Sequence, residues 1–186
     1  MTHLQNKYQK EVIPAMKEEF GYKNNIAVPK LEKVIVNCGF GGVIASKTGQ
    51  EREKLLEYIT QDMALITGQK PALREAKKSI SGFKLRKGAV VGAMVTLRGK
   101  RMYDFLERLI YVALPRSRDF RGINQKSIDQ KGNLNIGFRE QIVFPEITAE
   151  KEKSIFGLEV TVVTTAKSRK EGIKLLKLLG FPIKIK

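Results

Sequence analysis

Acid–base, nucleophilic or metal chemistry needs histidines, cysteines or carboxylates gathered in one place. This sequence has one histidine, His3, and one cysteine, Cys38. His3 stands close to the amino end, and Cys38 abuts a β-branched run, where a thiol packs as a small hydrophobe. These two alone leave a zinc ion short of ligands. The carboxylates are dispersed among Lys and Arg, and no acid–base pair is spelled out. Phosphate chemistry has one candidate. Gly39-Phe40-Gly41-Gly42 follows a strand-like run and precedes a helix-like one, as phosphate loops do. It lacks both the Gly-Lys-Ser/Thr ending of a P-loop and the further glycine of the dinucleotide fingerprint, and Ser46-Lys47-Thr48-Gly49 has the residue types in the wrong order. A tight turn is the better reading. Catalysis is not expected, nor any cofactor or metal.

The cations are a stronger signal. Between residues 70 and 101 stand Lys70, Arg74, Lys77, Lys78, Lys84, Arg86, Lys87, Arg98, Lys100 and Arg101, with Glu75 the only acid. Lys and Arg gain affinity by releasing counterions condensed on phosphates. Phe83, between Gly82 and Lys84, has the chemistry to stack on an exposed base. The whole chain repeats the bias: 35 Lys+Arg against 19 Asp+Glu give a formal charge of +16 over 186 residues. Nucleic acid, an anionic membrane surface and acidic proteins all suit such a charge, and nucleic acid suits it best. Asn37, Gln69 and Thr96 lie in or beside strand-like runs. By residue type alone they are ordinary turn and strand polarity.

The elements that must carry these residues follow from periodicity. Leu4, Tyr8, Val12, Met16 and Phe20 recur every fourth position and predict an amphipathic helix, kinked or split at Pro14 and ended by Gly21. Lys33–Asn37 predicts a strand. Thr48 with Glu51 forms a capping-box pattern ahead of a helix bearing Leu55, Leu56, Ile59, Met63 and Ile66, with Gly68 as its stop. The segment around Ser79–Phe83 predicts an exposed loop, and Val90–Leu97 a strand. Met102, Phe105, Leu106, Leu109, Ile110 and Ala113 form a helical stripe that Pro115 should stop. Residues 116–137, polar, basic and glycine-bearing, predict a long functional loop, and Phe138–Phe144 a strand ended by Pro145. Leu158–Thr165 is the best strand by propensity. Ser168 and Glu171 make a second capping box, and Leu175, Leu176 and Leu179 face one way on a last helix closed by Gly180 and Pro182.

Strands and helices mix without a regular βαβ repeat. The expected fold is α+β, a mostly antiparallel sheet with several helices packed on one face and long basic loops, in a single RNA-binding domain over 1–186. One cysteine excludes an internal disulfide framework and points to a reducing cytoplasm. No signal peptide and no run of 18 apolar residues is visible, so no membrane partner is expected.

Several segments, in order, resemble the bacterial large-subunit ribosomal protein five family. They are Val28-Pro29-Lys30 with Glu32-Lys33 and Asn37; Gly68-Gln69-Lys70-Pro71; Ala76–Lys84; Val95-Thr96-Leu97-Arg98-Gly99 with Arg101-Met102; Leu114–Arg116 to Asp119–Gly122; and Arg139–Ile147. The resemblance runs from about residue 3 to residue 182. It implies a non-catalytic constituent of the large ribosomal subunit, cytoplasmic within the ribosome, that attaches 5S ribosomal RNA to 23S ribosomal RNA in the central protuberance. It assigns the 5S RNA contact to Asn37, Gln69 and Thr96, with Lys33 and Arg98 beside them, which reverses the plain reading of the three polar residues. It sends the loop bearing Lys77, Lys78, Ser79, Phe83, Lys84 and Arg86 toward the elbow of peptidyl-site transfer RNA. It turns Arg139, Glu140, Gln141, Phe144, Pro145 and Glu146 toward a protein of the small-subunit head in an intersubunit bridge. No homo-oligomer is implied.

Overall fold

A computed structural model describes residues 3–45, 47, 49–83, 85–118, 120–147 and 154–184, with backbone alone at 45 and 83. In chain order the elements are α1 (His3–Lys7), a π turn (Tyr8–Val12), α2 (Ile13–Phe20), a 3-10 turn (Asn25–Ala27), β1 (Leu31–Gly39), α3 (Gly41–Ala45) and α4 (Gly49–Thr67). There follow β2 (Ala72–Glu75), a 3-10 turn (Ser81–Phe83), β3 (Val90–Leu97), α5 (Gly99–Arg108), a second π turn (Leu109–Ala113) and α6 (Leu114–Arg116). The last are a 3-10 turn (Gln125–Ser127), β4 (Leu134–Phe138), a 3-10 turn (Gln141–Val143), β5 (Leu158–Thr164) and α7 (Arg169–Leu179). The strands form one antiparallel sheet in the order β2-β3-β1-β5-β4, and the α+β expectation holds. By contacts the chain divides into two compact units: Met1–Ile35, Leu97–Ile136 and Val160–Lys186 make unit one, and Val36–Thr96 with Gly137–Glu159 make unit two.

Each central strand has one buried and one half-open set of residues, the period-two signature of a sheet covered on one side. On β1, Val34, Val36 and Cys38 are buried while Lys33, Ile35 and Asn37 are half-buried; on β3, Ala93, Val95 and Leu97 are buried while Met94 and Thr96 are half-buried. In unit two, α4 contributes Leu55, Ile59, Met63 and Ile66 to the core, the stripe its sequence spacing predicts. In unit one, Met102, Phe105 and Leu106 of α5 are joined in the core by Leu175, Leu176 and Leu179 of α7. The Ser168 side chain accepts from the Glu171 N–H, as the capping-box pattern requires, while the Glu171 carboxylate reaches back to the Lys167 N–H instead of the Ser168 one. The other predicted box lies at Thr48, outside the described residues.

Three expectations need correction. The prolines do not break their helices. A π turn precedes each one, Tyr8–Val12 before Pro14 and Leu109–Ala113 before Pro115, and helical backbone runs through both. A proline has no N–H and crowds the carbonyl four residues back; widening the preceding turn relieves that clash and shifts the helix register without ending it. The second helix therefore ends at Arg116, past Pro115. The strand expected over Phe138–Phe144 is instead β4, earlier in the chain, so the expected loop 116–137 gives up its last residues to the sheet. Asn133 and Asn135, poor strand formers by propensity, bind β5 through their side chains: the Thr164 N–H donates to the Asn133 amide oxygen and the Thr161 hydroxyl to that of Asn135. Residues 141–143 form a 3-10 turn because the Gln141 side chain faces inward.

Candidate nucleic-acid interface

Unit two carries most of the polar and cationic side chains that sequence singled out. Asn37 and Thr96 belong to the half-open sets of β1 and β3, which are neighbours in the sheet. Gln69 follows the Gly68 turn that ends α4, where Gly68 takes a φ of 66° and donates its N–H to Ala64 O at 2.8 Å. From there its Nε2 donates to Thr96 O at 3.5 Å, a long contact that places the amide over the end of β3. The Thr67 hydroxyl, tied to Met63 O at 2.6 Å, braces the same turn. The structure thus brings Gln69 to Thr96 and places Asn37 on the adjacent strand. All three keep part of their surface open, with both donors and acceptors to offer a sugar hydroxyl or base edge.

The segment after β2 is exposed, as expected, yet it is built. Ala76 and Ala89 pair through Ala76 N–H to Ala89 O at 2.8 Å; farther out, Ile80 and Leu85 exchange both backbone bonds at 3.0 and 3.1 Å. This makes a hairpin with the Ser81–Phe83 turn at its tip. Ser79 spends its hydroxyl within the hairpin, accepting from the Lys87 N–H at 2.9 Å. Lys77, Lys78, Arg86 and Lys87 are exposed, and among the described residues none of the four forms a side-chain ion pair. Lys84 and the Phe83 side chain lie outside the described residues. Sequence reading passed over two features of this region. Ile80 is 48% exposed near the tip, and Arg74, counted among the cations, stands on an unpredicted strand, β2, opposite Gly92 of β3. Strand β2 is four exposed residues with a bulge between Arg74 and Glu75, and Ala, Arg and Glu give little strand signal.

Residues 139–146 divide by burial. Gln141 is fully buried; its Nε2 donates to Ser154 O at 2.8 Å and its Oε1 accepts from the Phe156 N–H at 2.9 Å. Phe144, also buried, meets Phe138 edge-on at 5.6 Å between ring centroids. Both serve the interior of unit two and are withdrawn from the expected bridge surface. Arg139 and Pro145 are exposed, and Glu140 and Glu146 half-buried. In unit one, Lys33 is half-buried with its ammonium 3.6 Å from Glu32, and Arg98 is exposed at the start of α5.

The residues considered for catalysis offer nothing in combination. His3 is exposed on α1, and Cys38 is fully buried, which pushes its thiol up to about 12. Among the described residues no three His, Cys, Asp or Glu side chains are grouped to hold a metal. The glycine run makes a turn: β1 ends at Gly39, Phe40 is buried, and Gly41 opens the five-residue α3 with room for a Cβ no closer than 3.4 Å to Val91. No described helix is long and apolar enough to cross a membrane.

Sequence comparison gives this cationic, polar surface its setting. Residues 24–86 match the profile described as ribosomal protein L5, and residues 90–183 match the profile of that ribosomal family's C-terminus. The chain belongs to the ribosomal protein L5 family. Curated L5 relatives cover it from end to end. The protein of Desulforapulum autotrophicum is 52% identical over 184 residues, 99% of each chain, and that of Carboxydothermus hydrogenoformans 49% identical over 182 residues, 98% of each. The protein of Kosmotoga olearia is 50% identical over 181 residues, 97% of this chain and 96% of the relative. All three are named large ribosomal subunit protein uL5. The L5 family is one of structural ribosomal proteins and not of enzymes, in keeping with the dispersed carboxylates and the buried thiol.

Proposed function

We propose that this chain is a structural constituent of the large ribosomal subunit, in the cytoplasm, acting over 1–186 as one RNA-binding domain that holds 5S ribosomal RNA and attaches it to 23S ribosomal RNA in the central protuberance. The observation that carries the reading is end-to-end similarity, at about half identity, to proteins named as large-subunit components. Asn37, Gln69 and Thr96 hold the 5S RNA through hydrogen bonds that a solvated cation does not supply, and Lys33 and Arg98 add charge. Charge positions the RNA and polar groups select it. Because an A-form major groove is too deep and narrow to read, selection follows RNA shape, sugar hydroxyls and splayed bases.

The hairpin serves a second RNA. Lys77, Lys78 and Arg86, which form no ion pair among the described residues, reach with Phe83 and Lys84 the elbow of peptidyl-site transfer RNA, and Ser79 holds the hairpin in shape. Arg139, Glu140, Pro145 and Glu146 face a protein of the small-subunit head. The two RNA surfaces separate by mutation. Asn37→Ala and Thr96→Ala should each weaken 5S RNA binding by about fivefold, the worth of one hydrogen bond of about 1 kcal/mol, and leave transfer-RNA occupancy on assembled ribosomes unchanged. Replacing Lys77, Lys78 and Lys84 with Ala should do the reverse. Equal loss of both activities in both sets would show the surfaces to be misassigned.

A further inference from the structure

One cavity in unit two shares Arg86 with the hairpin surface and is otherwise lined by residues that neither the sheet face nor the hairpin uses. It is a half-open hollow of about 240 Å³ at the foot of the hairpin. Lys47, Arg52 and Arg86 line it with Ile44, Leu85 and Val90, and among the described residues no acidic side chain does. None of these three cations has a side-chain hydrogen bond or ion pair among the described residues. Lys47 and Arg52 are half-buried, so their charge is held toward protein surface in place of being spread in water. Arg52 also stands in the first turn of the 19-residue α4, whose positive end adds to the attraction for an anion. Three unopposed cations beside an apolar floor are a poor arrangement for an empty surface dimple, because they repel one another. The same arrangement suits a ligand with an anionic group joined to a flat apolar body.

We infer that this cavity takes one nucleotide unit of ribosomal RNA, its phosphate against Lys47, Arg52 and Arg86 and its base or sugar edge on Ile44, Leu85 and Val90. The size fits that class. Sites for whole small molecules start at about 300 Å³, so a free nucleoside triphosphate is too large, whereas one nucleotide held by its neighbours in a chain enters partway. The polymer is favoured over an acidic peptide by the chemistry of the floor: a base presents a flat apolar face beside its phosphate, and an Asp or Glu side chain does not. The inference rests on the RNA-binding reading and adds to it a contact separate from Asn37, Gln69 and Thr96.

The test uses the full chain with labelled 5S ribosomal RNA and a labelled transcript of 23S ribosomal RNA. A Lys47→Ala/Arg52→Ala double variant removes two phosphate partners. The slope of log affinity against log salt should become shallower by up to about 0.7–0.9 for one of the two RNAs, the worth of the single phosphate held there. Lys47→Arg/Arg52→Lys should restore the slope. A direct readout uses the silence of the buried Cys38: in an Ala89→Cys variant the new thiol lines the cavity, and RNA should slow its alkylation at least tenfold, whereas inorganic phosphate and adenosine monophosphate should not. Thermal unfolding of each variant checks that the fold is kept. An unchanged slope for both RNAs with an unprotected Ala89→Cys thiol, while Asn37→Ala still weakens 5S RNA binding, overturns the cavity assignment and leaves the RNA-binding reading standing. Protection by micromolar adenosine monophosphate overturns the assignment to a polymer, and protection by an acidic peptide but not by RNA overturns the ligand class. Failure of the unaltered chain to bind either RNA overturns both readings.

Discussion

Replacing Gly172 with alanine should destabilise the protein, although the same exchange at a helical glycine ordinarily stabilises. Alanine in place of glycine gains about 0.5–1 kcal/mol in a helix because the unfolded chain has less freedom to lose. At Gly172, in the first turns of α7, a Cβ would stand 2.3 Å from Gly132 Cα and 2.6 Å from Gly132 O, where ordinary contact begins near 3.4 Å. Helix and turn must part by roughly 1 Å, and neither is free to do so. The turn is pinned by the Asp129 carboxylate, which accepts from the Lys131 and Asn133 N–H groups at 2.8 Å each, and Gly132 O accepts from the buried Thr164 hydroxyl at 3.1 Å. Gly132 also holds a φ of 80°, so it cannot adapt by becoming another residue. Overpacking of this kind costs about 1–3 kcal/mol or more and outweighs the helix gain. Gly172→Ala should therefore lose about 2 kcal/mol, which moves the urea midpoint down by about 1 M with little change in slope. Gly42→Ala, in α3 with nothing within 4 Å of the added carbon, should hold or slightly raise the midpoint. A Gly172→Ala midpoint equal to or above that of the unaltered chain would refute the steric reasoning.

Three further outcomes are expected. Burial works to raise the Asp129 carboxyl, but hydrogen bonds from Asn133 and Lys131 outweigh it and hold the group below the ordinary carboxylate range. Its contribution to stability is then full above the unfolded pKa of about 3.9 and is lost as pH falls through the lower folded value; the midpoint gap between the unaltered chain and Asp129→Asn should close over that acid range, and a gap independent of pH would contradict it. Cys38 should resist alkylation in the native chain at about pH 8 and react fully in denaturant, and fast native modification would show that the strand is open to solvent. If about six to ten phosphates are contacted, 5S RNA affinity should fall by a thousandfold or more between 50 and 200 mM salt, as read by filter binding; a flat response would remove the role given to the cations.

Periodicity made α4, α5, α7 and β5 legible, because each buries a regular stripe that only one secondary structure can present. What it could not give were elements held by particular bonds. Strand β4 depends on Asn133 and Asn135 reaching β5, and Gln141 turns inward to bind Ser154 and Phe156; each choice goes against the usual leaning of its residue type. The prolines marked a disturbance, but whether a helix breaks or widens into a π turn is decided by what packs around it. At the candidate interface, residue types pointed to cations and amides and to an exposed hairpin. The ordering of that hairpin by Ala76, Ile80 and Ser79 appears only in the fold. The cavity was hidden for a related reason: Lys47 and Arg52 lie far along the chain from Arg86, and spacing in sequence carries no sign of their meeting.

The central claim is that polar groups on a folded sheet select one RNA, with charge only assisting. Competition at 200 mM salt between 5S ribosomal RNA and an unrelated RNA of equal length tests it most directly, since that salt strips away most of the phosphate attraction. The account predicts that the 5S RNA is held at least about a hundredfold more tightly. Equal displacement by both RNAs would mean that the chain acts as a polycation, and would contradict it.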